Sequence, residues 1–76
     1  STTVLSLPYE YFPLPKAGDT VAAVDREGRF VCNARVLQVK PMSAHQSTSV
    51  VKIEFPEEFT FKVKSINTFH WRSKNG

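Results

Sequence analysis

From Arg29 to Lys40 the chain reads Arg-Phe-Val-Cys-Asn-Ala-Arg-Val-Leu-Gln-Val-Lys. Strict alternation places Phe30, Cys32, Ala34 and Val36 on one face, the period of a half-buried β-strand. Beyond Val36 the apolar phase moves to Leu37 and Val39. A one-residue phase change inside a strand marks a β-bulge, where an unpaired residue bends the ladder and changes which side chains face inward. A sheet bent in the middle of a long strand curls, so this segment predicts a small barrel rather than a flat sheet.

Towards the N-terminus, Asp25-Arg26-Glu27-Gly28 predicts a type I turn with Gly28 in the left-handed position of a hairpin. Thr20 to Val24 is the strand entering it, opened by the turn signal Lys16-Ala17-Gly18-Asp19. The first fifteen residues differ in character. Pro8, Pro13 and Pro15 punctuate the aromatic stretch Tyr9-Glu10-Tyr11-Phe12. Because proline fixes φ and biases its predecessor towards extended backbone, residues 1–15 read as an extended but irregular, polyproline-like arm. Its rings are expected to pack on the barrel as a strap or lid.

Towards the C-terminus, Pro41 to Ser47 is polar and reads as a loop. Thr48 to Phe55 alternates, with Val51, Ile53 and Phe55 inward and Val50, Lys52 and Glu54 outward. Pro56-Glu57-Glu58-Phe59 carries proline and two acids where a first helical turn favours them, so one 3₁₀ or α turn is expected. Thr60 to Ser65 then reads as a strand with Phe61 and Val63 inward and Lys62 and Lys64 outward. Asn67 to Trp71 is a candidate short closing strand, and 72–76 a frayed tail.

The order of arm, strand, tight hairpin, long bent strand, loop, strand, one-turn helix and strand resembles the SH3-like barrels, a superfold that includes SH3, Tudor and KOW-type domains. The resemblance covers roughly Lys16 to Trp71 and rests on element order and Gly18-Asp19. It implies an all-β domain: a small SH3-like barrel of about five strands over residues 16–71, with an extended Pro/aromatic N-terminal arm. An OB-like or other small barrel fits the same order. Small barrels host many unrelated activities, so fold leaves function open.

Composition agrees with one folded domain. The chain has 76 residues, 41% hydrophobic and 12% aromatic, whereas disordered segments lack the apolar surface to offset chain entropy. At this size only about 60–65% of the unfolded chain's surface is buried, so the core is modest. The single cysteine, Cys32, rules out an internal disulfide and any multi-cysteine metal site. No apolar run is long enough to span a bilayer as a helix. Val4–Leu7 is too short for the apolar core of a signal peptide, so a cytoplasmic setting is expected. The opening Ser1-Thr2-Thr3, without methionine, suggests a domain from a longer protein or a trimmed product.

Candidate chemistry is sparse. Cys32 is the only thiol nucleophile, but its place on the Phe30 and Ala34 face suits a small buried hydrophobe. His45 and His70 lie far apart in sequence without metal-ligand spacing, and Glu57 and Glu58 are neighbours whose side chains do not converge. No glycine-rich phosphate loop occurs. The expectation is therefore a non-enzyme without cofactor or metal.

Two surfaces remain for binding. Lys62, Lys64, His70, Trp71, Arg72 and Lys74 interleave cations with rings, as single-strand-binding barrels do. The competing reading makes Lys62 and Lys64 the solvated face of an edge strand, where lysine blocks unwanted pairing, and Trp71 a plug for the barrel's open end. Tyr9, Tyr11 and Phe12 form the second surface, suited to a protein partner or neighbouring domains of a parent chain. The leading expectation is a non-catalytic accessory or protein-interaction module. The alternative is a sequence-tolerant nucleic-acid-binding barrel using the C-terminal basic strip.

Overall fold

Alternating apolar residues at Leu5, Leu7 and Tyr9, set against exposed Val4, Ser6 and Pro8, turn the start of the chain into strand β1, Thr2–Tyr9. The computed structural model describes residues 1–10, 14–42 and 45–67, with the backbone alone at 42 and 45–47. β2 (Thr20–Val24), β3 (Phe30–Met42), β4 (His45–Pro56), a 3₁₀ turn (Glu57–Phe59) and β5 (Ser65–Asn67) follow. All pairings are antiparallel, and the five strands lie in the order β1-β4-β3-β2-β5. The sheet curls into a half-barrel.

Of the irregular arm expected over residues 1–15, the part Thr2–Tyr9 is corrected: it runs as a regular strand along β4 from Thr2–Pro56 to Tyr9–Ser49, and residues 11–13 lie outside the described residues. Prolines failed to break the sheet because of where they fall. The Val36 N–H donates to the Asp19 carbonyl at 2.8 Å, and the Gly18 N–H donates to the Val36 carbonyl at 2.7 Å. Val36 therefore turns its polar groups towards the β2 side, and its pairing with Ile53 is a non-hydrogen-bonded one. Carrying the alternation across β4, Ile53 bonds with Leu5, and Thr3, Leu7 and Tyr9 bond with Phe55, Val51 and Ser49. Pro8, paired with Val50, and Pro56, paired with Thr2, then sit in non-hydrogen-bonded positions, as does Pro41 opposite Ser49. None of them costs a ladder bond.

The core lies inside the curl. It gathers Leu7 and Tyr9, Val21 and Ala23, Cys32, Ala34 and Val36, Val51, Ile53 and Phe55, and Ile66 and Val63, with Leu5, Leu14, Val31, Val39 and Phe59 packed against it. The bend foreseen in β3 is present. Val36 pairs with Ile53 and Gln38 with Lys52, leaving Leu37 as the extra residue. Val39 consequently faces inward opposite Val51, whereas Leu37, expected inside, is exposed.

A second bulge corrects Phe30. Ala23 pairs with Cys32 but Val24 with Phe30, so Val31 is the inserted residue. The inserted Val31 packs on the core, and Phe30 is 62% exposed. The loop expected over Pro41 to Ser47 is largely strand, since β3 runs to Met42 and β4 begins at His45. Of the strand expected over Thr60 to Ser65, Thr60 to Lys62 form a turn instead, and strand begins only at Ser65. Thr60 N–H and its Oγ1 both donate to the Glu57 carbonyl, at 3.0 and 2.6 Å, and the N–H groups of Lys62 and Val63 donate to the Phe59 carbonyl. These local bonds continue the 3₁₀ turn predicted at Pro56. They swing Phe61 outward, 88% exposed, and keep only Val63 inside.

Candidate interaction surface

The surface is assembled from two turns. At the β2–β3 hairpin, the Gly28 N–H donates to the Asp25 carbonyl at 3.0 Å, and Gly28 has φ of 84°, the left-handed region expected for it. One carboxylate oxygen of Asp25 accepts from the N–H groups of Glu27 and Arg29, both at 2.9 Å. This charge is engaged in holding the hairpin. The second turn follows the 3₁₀ segment and is tied to β2 by the Lys64 N–H, which donates to the Val24 carbonyl at 2.8 Å.

Between the turns lies an open depression of about 540 Å³ lined by Asp25, Arg26, Val31, Phe61, Lys62 and Lys64. That volume falls within the range of small-molecule pockets, but such pockets are predominantly apolar and enclosing. Here one half-buried valine and one exposed ring stand among four charged side chains, which suits a surface for a larger partner. Arg26, Lys62 and Lys64 are exposed and outnumber the one carboxylate, Asp25, so the depression is net positive.

Lys62 and Lys64 of the expected basic strip therefore do share one surface, on a turn instead of a strand face. His70, Trp71, Arg72 and Lys74 lie outside the described residues. Of the expected aromatic surface, Tyr9 is 5% exposed and belongs to the core, so its ring is not presented to a partner, while Tyr11 and Phe12 lie outside the described residues. Sequence reasoning missed Arg26, Val31 and Phe61. Only Thr60 beside Pro56-Glu57-Glu58, a hydroxyl able to close the turn, signalled that Phe61 would leave the core.

Cys32 is buried, and its thiol is pushed above the ordinary value of 9.0 by desolvation first and by the negative charge of Glu58 second. Both oppose the thiolate, the reactive form. At pH 8 we expect alkylation of the native chain to be far slower than in denaturant, since it must await opening of the sheet. Rapid labelling measured by mass under native conditions would contradict this placement.

Among the described residues, no three His, Cys, Asp or Glu side chains gather as a metal ion would need, and no helix is long and apolar enough to cross a membrane. Comparison with protein families, curated proteins and solved structures finds no match for this chain.

Proposed function

We propose that this chain is a non-catalytic protein-interaction module on an SH3-like scaffold, acting within a larger protein or assembly in the cytoplasm. The scaffold reading draws on the β2-β3-β4 meander, the 3₁₀ turn after it, and the return of β5 to pair with β2. The observation that carries the functional reading is Phe61, 88% exposed beside Val31 and three cations. A ring left in water contributes nothing to the domain's own core, whereas aromatic and arginine side chains are favoured at protein interfaces.

A second reading draws on the same place. Arg26, Lys62 and Lys64 around an exposed ring resemble a stacking platform for a single strand. Titration with single- and double-stranded oligonucleotides at several salt concentrations separates the two. For the protein module we expect no complex tighter than about 100 μM at physiological salt, within the weak non-specific range. Micromolar binding that falls steeply with salt, and that Lys62→Glu with Lys64→Glu abolishes without unfolding the chain, would install the nucleic-acid reading instead.

A further inference from the structure

The two edges of the sheet are protected very differently. β5 is three residues long and follows Lys62 and Lys64, which blunts it as natural edges are blunted. β1 is eight residues long, and no charged residue occurs from Ser1 to Tyr9. Among the described residues, nothing pairs with its outer edge. The register of β1 on β4 turns the polar backbone groups of Thr2, Val4 and Ser6 to that open side, with Pro8 offering only its carbonyl there. Val4, on the convex face, is 52% exposed.

We propose that β1 pairs with β1 of a second copy of this chain, antiparallel about a two-fold axis through Val4, joining two half-barrels into one continuous sheet. An antiparallel edge is self-complementary, since the same row of donors and acceptors meets itself reversed. With Val4 opposite Val4, Thr2 lies opposite Ser6 of the second copy, and each such pair exchanges two hydrogen bonds. This register uses every outward-facing N–H of Thr2, Val4 and Ser6 and leaves Pro8, which has none, beyond the last pair. It also sets the two exposed Val4 side chains side by side, the closest cross-strand contact available on that face. β1 itself brings no charged side chain to the seam, and the nearest carboxylate, Glu54 of β4, accepts from Thr2 Oγ1 at 2.7 Å. A neutral strand from another protein would meet the same hydrogen bonds but not the symmetric placement of valine and proline.

Sedimentation equilibrium from about 1 μM to 1 mM tests the pairing, because a contact this small belongs to the weak class and its dissociation constant is expected near 10–100 μM. Val4→Lys faces two ammonium groups across the axis, and Ser6→Pro removes an N–H that points away from β4 and so spares the β1–β4 ladder. Each variant is expected to weaken association by about tenfold or more while keeping the wild-type circular dichroism. Should Ser6→Pro fail to fold, Val4→Lys decides alone. In the wild type, the Val4 and Ser6 amides are expected to exchange quickly at the lowest concentration and slowly at the highest. A chain monomeric throughout, a dimer indifferent to Val4→Lys, or amides equally protected at every concentration would overturn the proposal, the last by showing the edge covered within one copy.

Discussion

Phe55→Ala is expected to cost about 3–5 kcal/mol, the range for truncating a buried phenylalanine whose surroundings collapse only in part. Phe55 is 2% exposed and heads the largest fully buried side chains, with Ile53, Val36 and Val51. It packs inside the curl on β4, and its backbone partner is Thr3 of β1. A domain of this length holds about 4–11 kcal/mol in total at typical per-residue stability, so this one truncation removes much of the margin. Urea unfolding followed by circular dichroism should show the midpoint falling steeply with an unchanged slope, because the surface exposed on unfolding barely differs. Phe61→Ala is the internal control. At 88% exposure its ring has little to lose, and its effect should stay within about 0.5 kcal/mol. Equal losses at the two positions would mean that the inside and outside of the barrel are wrongly assigned.

Gly28→Val should be the most damaging change outside the core, at about 1–2 kcal/mol. The cause is conformational. A Cβ at Gly28 would meet nothing within 4 Å, so there is no clash to relieve, but φ of 84° is a region β-branched residues reach only under strain. The position cannot relax cheaply, because the Gly28 and Arg29 N–H groups are both held by Asp25. Gly28→Asn should lose distinctly less, since asparagine tolerates the left-handed region. Thermal melts of the two variants provide the measurement, and valine and asparagine melting together would show that the turn does not need this conformation.

Much of the local structure was legible in the residues. The hairpin at Asp25 to Gly28, the phase break after Val36, the inward set Val51, Ile53 and Phe55, and the turn at Pro56 all follow from rules that act within a few residues. These are the φ a glycine permits, the period of two, and the acids and proline that favour a first turn. The candidate surface was less legible. Charge alone singles out Lys62 and Lys64, but the ring of Phe61 beside them reads as core because Phe61 and Val63 alternate as a strand would.

What the tertiary structure alone decided is who pairs with whom. Period two states which residues share a face, but not which strand lies alongside or where an extra residue enters. The bulge at Val31, created by the register between β2 and β3, put Phe30 outside although its alternation with Cys32 is perfect. Thr60 bonding back to Glu57 kept the next residues in a turn and exposed Phe61. The prolines of the first segment looked like breakers until the ladder showed that Pro8 sits where no N–H is asked for. Local sequence sets the preference of each residue for strand or turn. The free energy of pairing is shared between segments far apart in the chain, so β1 could be recognised as a strand only once β4 lay beside it.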